Sequence, residues 1–458
     1  MQTYSNTIRS INSKKSKNFA YYLRNFSRIF MGLLFIFSAY VKMVDPYGFG
    51  LKLGEYFVSF GMNFMEPAAL PFGILAICAE FVIGWALLLN IQMKITAWAL
   101  LAFMIFFTLL TFWLAFAYTI IDFINTIFGT SYQIFVVTDC GCFGDFIKLT
   151  NMETFVKNVI FMVFTLIIFV QRKKFRQYKW YYLMQWLPIL LALGLAVFVQ
   201  IYCLKHEPWH DFRPWKVGKF IAAEAYSQAP EMDFVFVYQN KETGEQKEIT
   251  MEQLSAISED TALSADLENN YTYLDRKEKI IKDAIVAKLA DFAIIDINTK
   301  NDIKNNVMLS PEYTFIIMVR DVKEVTALKM RKIKALIADL EAQGNKNYVL
   351  LTGSFPADVE DFKKAQGLEE QTFYFCDMTP LKTAIRNNPG VIMLKEGYVM
   401  DKWAYVDVPT LKTIEDNADM YAKKLEKYKQ KQPPLLPGRE EILPPEETQK
   451  QNTEEIIQ

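Results

Sequence analysis

Apolar residues are unevenly placed along this chain. The first 205 positions carry long apolar runs, and the rest has the mixed composition of a water-soluble region. A bilayer core takes about 20 mostly apolar residues per helix. Five runs meet or approach that length: 28–44, 68–90, 95–121, 154–171 and 182–203. Lys42 stands near the end of the first, Glu80 interrupts the second and Lys157 stands near the start of the fourth, while the third and fifth carry no charge. The first run lacks a small-residue cleavage site and continues into "VDPYGFG", so it is expected to stay as a span and not to be a cleaved signal peptide.

Beyond residue 205 the period changes. "MDFVFVYQNKETGEQKEITMEQ" alternates apolar and polar residues and turns at "KETGE", which predicts a hairpin. A polar, partly helical stretch is expected from there to about Ala290. Strands then alternate with helices: "DFAIIDI", "YTFIIMV", "NYVLLTG" and "TFYFC" read as strands, with an amphipathic helix closing on Gly344 and shorter helices between. "PGVIML" and "YVMDKWAY" read as a last hairpin, and "PTLKTIEDNADMYAKKLEKYK" as a last helix. The expected fold class is an α-helical membrane bundle followed by an α/β domain. The tail is rich in Pro, Gln and Glu and reads as disordered. The resulting layout is 1–25 N-terminal segment, 26–171 four-helix bundle, 172–204 basic loop and fifth span, 205–290 hairpin-containing linker region, 291–428 α/β domain and 429–458 tail.

Charge orients the bundle. Arg9, Lys14, Lys15, Lys17, Arg24 and Arg28 precede any acid, "RKKFRQYK" joins the fourth and fifth spans, and Lys94 lies between the second and third. The other two loops carry Asp45, Glu55 and Glu66, then Asp122, Asp139, Asp145 and Glu153, with one Lys each. Lys/Arg bias predicts a cytoplasmic N-terminus and an extracytoplasmic C-terminal region. The formal net charge of −1, with no large basic patch, argues against a nucleic-acid partner.

Candidate chemistry centres on "TDCGCFGD", residues 138–145. On the expected outer side thiols can be oxidised and stay so. Cys140 and Cys142 fit a redox pair, because a disulfide closed across one residue is strained and readily exchanged. They also fit a structural disulfide or a plain turn shaped by Gly141 and Gly144. Metal binding fits poorly without partner ligands. Asp139 and Asp145 should disfavour a thiolate. Of the other cysteines, Cys78 lies within the second span, Cys203 ends the fifth, and Cys376 ends a strand expected to be buried. Glu80 is a functional candidate by its depth in the membrane, with Lys42 or Tyr40 as partner. "HEPWH", 206–210, has zinc-protease spacing, but Pro208 blocks the helix that chemistry needs, so the segment reads as an interfacial exit.

Two resemblances add to this. "RIFMGLLFIFSAYVKMVDPYGFGLKLGEYF" and "AEFVIGWALLLNIQMKITAWALLAFM" resemble the DoxX-like four-helix membrane proteins, and "DCGCFGD" before the fourth helix resembles their MauE branch. That resemblance implies disulfide formation in exported proteins, with a bundle similar to DsbB and vitamin K epoxide reductase enzymes and a quinone as electron acceptor. The membrane part departs from that pattern in having no second outward cysteine pair. Residues 290–428 resemble a membrane-tethered thioredoxin-like domain of the TlpA type, with Pro389 of "RNNPGVIMLKEG" at the place of the cis-proline before a strand. The Cys-x-x-Cys implied after "YTFIIMV" is replaced by "RDVKEV", Arg320 to Val325. Together they imply a multi-pass protein of the bacterial inner membrane with a periplasmic domain. Its expected activity is thiol–disulfide exchange at Cys140 and Cys142 with exported proteins. The alternative is a non-enzymatic scaffold subunit of an envelope or secretion complex. Membrane lipid is an expected partner, and no metal is expected.

Overall fold

The computed structural model describes residues 2–132, 134–137, 141, 144, 146–147, 149–175, 182–225, 231–282, 289 and 291–431. Six helices come first: α1 (Gln2–Met43), α2 (Pro46–Ser59), α3 (Ala69–Leu89), α4 (Met93–Phe128), α5 (Asn151–Val170) and α6 (Trp186–Lys205). Among the described residues five stretches are long and apolar enough to cross a membrane: Asn18–Met43, Asn63–Leu89, Met93–Phe128, Asn151–Val170 and Trp186–Lys205. The chain is a multi-pass membrane protein.

Two features of the bundle differ from the reading of the sequence. The segment after the first span, expected as a loop, contains α2. Asp45 caps it by accepting from the Gly48 N–H at 2.9 Å, and Pro46 takes a first-turn position where its missing N–H is not needed. Its glycines hide the helix from an apolar-period reading, yet they let α2 press closely on α3. The second difference is α4, which runs on past residue 121 to Phe128. At about 1.5 Å per residue it is roughly 54 Å long, against a hydrocarbon core of roughly 30 Å. It is therefore longer than an upright span needs, and Gly129, at φ +62°, ends it.

Helices α1 and α3 cross at glycine. A Cβ on Gly84 would lie 2.9 Å from both Ile36 N and Phe35 Cβ and 3.0 Å from the Gly32 carbonyl oxygen. Small residues at such a crossing let backbones approach within a membrane. Gly84→Ile is expected to push the helices apart and destabilise the bundle by about 1–3 kcal/mol. A fall in the melting temperature of the detergent-solubilised protein checks this; an unchanged value would contradict the crossing. Polar contacts tie the other helices in. Asn158 on α5 donates to Thr111 Oγ1 at 3.1 Å and to the Phe107 carbonyl at 3.3 Å on α4. Gln200 on α6 donates to Cys78 Sγ on α3 at 3.2 Å.

Past α6 come β1 (Glu231–Asn240), β2 (Gln246–Thr250), α7 (Met251–Glu259), α8 (Thr261–Asn270) and β3 (Tyr271–Lys282). The expected hairpin β1–β2 forms, with Gly244 at φ +73° in its turn. The stretch expected to be partly helical carries α7 and α8 and then ends in β3, a strand not expected there, which pairs antiparallel with β1. Its exposed run of Asp275, Arg276, Lys277 and Glu278 gives no burial alternation to read.

The α/β region follows: β4 (Ile295–Asp296), α9 (Lys304–Met308), β5 (Thr314–Met318), α10 (Ala327–Ala342), β6 (Tyr348–Thr352), α11 (Pro356–Gln366), β7 (Phe373–Phe375), α12 (Met378–Ala384), β8 (Gly390–Lys395), β9 (Tyr398–Ala404), α13 (Leu411–Asp416) and α14 (Ala418–Lys431). One sheet runs in the order β4-β7-β6-β5-β8-β9. β5, β6 and β7 are parallel; β8 is antiparallel to β5, and β9 to β8. Phe315 and Ile317 pack on α10 on one face, while Ile316 and Met318 face a second core on the other. A strand buried on both faces reads as an unbroken apolar run, as "TFIIM" does. The expected last helix is broken at Asn417 into α13 and α14. α14 continues through Lys431, and the rest of the tail lies outside the described residues. The stretch after α6 is more than a spacer: Trp215 and Ile221 are fully buried in the second core, and Gly218 and Lys219 exchange backbone bonds with Val399.

Candidate functional site

The chemistry collects where the bundle meets the α/β region. α1 ends at Met43, and Asp45 follows at the cap of α2. The Asp45 carboxylate also receives a two-pronged contact from Arg386, with Nε to Oδ1 at 3.0 Å and Nη2 to Oδ2 at 2.7 Å. Paired bonds of this form are strong and directional. Burial alone would raise the Asp45 carboxyl; Arg386 outweighs it and holds the group below its ordinary range.

The exit segment adds a second charged group. Arg213 is 2 % exposed and donates from Nε to Asp211 at 2.6 Å and from Nη2 to Glu207 at 2.5 Å. Lys402, on β9, reaches Asp211 at 2.9 Å and Glu207 at 3.4 Å. Asn387 donates to Glu207 at 3.2 Å. With Asp45 and Arg386, three carboxylates face three cations at the junction among the described residues. Despite burial, which raises them, the neighbouring cations hold Glu207 below its ordinary range and Asp211 well below its own. The two histidines do not converge: His206 contacts Asp407 at 2.8 Å, and His210 meets the Tyr40 hydroxyl at 2.5 Å. The backbone leaves α6 at His206 in extended conformation, so the helical "HExxH" geometry is not formed.

Below this junction lies Glu80. Its partner is Lys42, at 2.6 Å, with both side chains nearly buried. Lys42 also donates to Ser38 Oγ at 2.9 Å and lies 5.5 Å from the centre of the Phe49 ring. Placement in the last turn of α1 sets a cation at a helix C-terminus, where the dipole favours it.

Cys140 and Cys142 lie outside the described residues. Described neighbours in the same motif place its surroundings. Gly141 has φ +63°, and a Cβ there would lie 2.9 Å from Cγ of Lys52 on α2, so that position requires glycine. Gly144, at φ +50°, lies against Val41 near the end of α1. Phe146 packs between Phe37 and Phe212, with ring centres 5.4 and 5.1 Å away. The three other cysteines are free and buried. Cys78 and Cys203 share one apolar cluster within the bundle. Cys376 sits in the second α/β core, where burial pushes its thiol up to about 12, which makes it inert at neutral pH.

On the α/β side, the segment 320–325 after β5 adjoins buried Pro389, whose peptide bond with Asn388 is cis. Asn388 donates to the Asp321 carbonyl at 2.8 Å and to Glu324 at 3.2 Å. The Arg320 guanidinium donates to the Arg386 carbonyl at 3.1 Å and lies 5.0 Å from the ring centre of Tyr47, on α2. The edge without a dithiol is thus turned towards the bundle.

Residues 20–171 match the family described as methylamine utilisation protein MauE. The membrane part is MauE-like. The match spans the first four membrane helices and the whole Cys-Gly-Cys motif, and stops before α6. No curated protein and no solved structure matches the chain.

Sequence reasoning missed the residues that join the two parts. Asp45 before Pro46 was legible as a helix cap, and Lys402 inside a buried strand signalled a missing counter-charge. Arg386, 341 positions from Asp45, left no local signal.

Proposed function

We propose that this MauE-like protein carries out membrane-coupled thiol–disulfide exchange in the bacterial cell envelope, with Cys140 and Cys142 as the redox pair and a thioredoxin-like domain as the partner-holding module. The observation that carries the reading is the position of Gly141 and Gly144 of the motif, which lie against Lys52 of α2 and Val41 of α1 at the end of the bundle to which the α/β region is joined. In the exchange, a dithiol of an exported protein is oxidised to a disulfide while the Cys140–Cys142 disulfide is reduced to two thiols. A quinone, when bound, supplies an acceptor for two electrons and two protons. Phe37, Phe146 and Phe212 fit such a ring: they form an aromatic patch next to Gly144, with Phe37 and Phe146 partly exposed on the side of the bundle. The strand order β7-β6-β5-β8-β9 and the place of Pro389 at the start of β8 support the thioredoxin-like reading. The N-terminus is read as cytoplasmic and the α/β domain as periplasmic, from the Lys/Arg bias.

The test is thiol trapping in membranes followed by mass spectrometry. Blocking quinone supply is expected to move Cys140 and Cys142 from disulfide to two alkylated thiols. A pair that keeps one state under both conditions would refute the enzyme reading.

A second reading is a non-enzymatic scaffold subunit of an envelope or secretion complex. It is favoured by the thiol-free edge 320–325, which is turned towards α2. Changing Cys140 and Cys142 together to Ser separates the two: retained function in cells supports the scaffold, and loss of disulfides in exported proteins supports exchange.

A further inference from the structure

The end of the bundle opposite the α/β region is built from cations and aromatic rings. Lys94 and Trp98 lie one turn apart on α4, both exposed. Arg172, just after α5, donates to the Phe169 carbonyl at 2.7 Å and lies over two rings, 4.0 Å from the centre of Phe169 and 5.6 Å from that of Trp98. Lys173 and Lys174 are exposed beside it. On the neighbouring helix, Arg24 lies 5.2 Å from the ring of Phe175, and its Nε is buried without a hydrogen-bond partner.

Among the described residues these cations have no carboxylate partner. Residues 1–44, 81–121 and 154–206 contain no Asp or Glu at all. Among the described residues, none of Lys94, Arg172, Lys173 and Lys174 forms an ion pair with a carboxylate, in contrast to the three-against-three balance at the other end. The exposed face of Trp98 belongs to a helix long and apolar enough to cross a membrane, which makes lipid its expected neighbour. Trp at this depth sits at headgroup level, and a guanidinium held over rings keeps N–H groups for a phosphate.

We propose that this end is a binding site for the headgroup of an anionic phospholipid, centred on Lys94, Trp98 and Arg172. Contact with the Phe169 and Trp98 rings and the bond to the Phe169 carbonyl order Arg172 before the lipid arrives, and Lys94 supplies a second charge one turn from Trp98.

The full-length protein is placed in nanodiscs of phosphatidylcholine mixed with phosphatidylglycerol, and retained lipids are counted by native mass spectrometry. The wild type is expected to retain phosphatidylglycerol preferentially. Lys94→Gln and Arg172→Gln are each expected to weaken that preference about fivefold, whereas Lys205→Gln, at the other end, leaves it unchanged. Lys94 is exposed, so its variant tests the site without disturbing packing. Equal retention of the two lipids by the wild type, or an equal loss in Lys205→Gln, overturns the proposal. Displacement of the retained lipid by inorganic phosphate would indicate a free-anion site and overturns it as well.

Discussion

Replacing Glu80 by Leu is expected to destabilise the bundle by about 3–5 kcal/mol, the range found when one member of a buried ion pair is removed. Both partners are nearly buried, and their 2.6 Å contact lies among apolar side chains of α1 and α3. Taking away the carboxylate removes the 2.6 Å ion pair from a nearly buried ammonium that also contacts Ser38 Oγ and the Phe49 ring. Coulomb attraction lost in such surroundings is not replaced by water. The double change Lys42→Met with Glu80→Leu should recover most of the loss, because two apolar side chains of similar volume need no counter-charge. Denaturant titration of the solubilised single and double variants measures this. A double variant no more stable than Glu80→Leu would mean that the pair is not acting as a unit.

Arg213→Met should loosen the junction between the bundle and the α/β region by a similar amount, about 3–5 kcal/mol. Among the described residues Glu207 and Asp211 would then keep Lys402 as their cation, with Asn387 still donating to Glu207, and Asp45 would lose a nearby positive charge. A pH dependence follows. All three carboxyls are held below their ordinary values of 4.5 for Glu207 and 3.8 for Asp211 and Asp45. A group depressed in the folded state contributes stability above its unfolded pKa and loses it as pH falls through the lower folded value. The wild-type junction is therefore expected to hold from about pH 8 to about pH 5 and to open only in stronger acid. Without Arg213 the carboxyls take up protons more readily, so the opening should move to milder acid. Protease cleavage in the exit segment 206–217, followed against pH, reads this directly. Identical pH profiles for wild type and variant would remove Arg213 from the lock.

Much of the architecture was legible because it rests on local pattern. Apolar runs of about 20 residues need no knowledge of neighbours to be read as spans. β5, β6 and β8 stood out as short apolar runs between helices. The places where reading failed share one cause. α2 is held by a cap and by contact with α3 across glycines, not by an amphipathic period. β3 is defined by its partner β1, and its own charged, exposed residues resemble a loop. The break falls at Asn417, whose side-chain amide donates back to the Thr413 carbonyl at 2.7 Å, where the sequence pattern continues unbroken.

The sequence by itself determined the number of spans, the side on which positive charge gathers, the alternation of strand and helix, and the presence of a Cys-Gly-Cys motif in a MauE-like segment. These follow from composition and from periods of two or 3.6 residues, which act over a few turns of chain. Only the tertiary structure decided that Glu80 faces Lys42, that Arg386 clasps Asp45, and that Arg213 and Lys402 share two carboxylates. It likewise decided that Trp215, just beyond the membrane, belongs to the α/β core. Buried charges must find counter-charges wherever the fold brings them, and that choice is made by distance in space, which a linear chain does not carry.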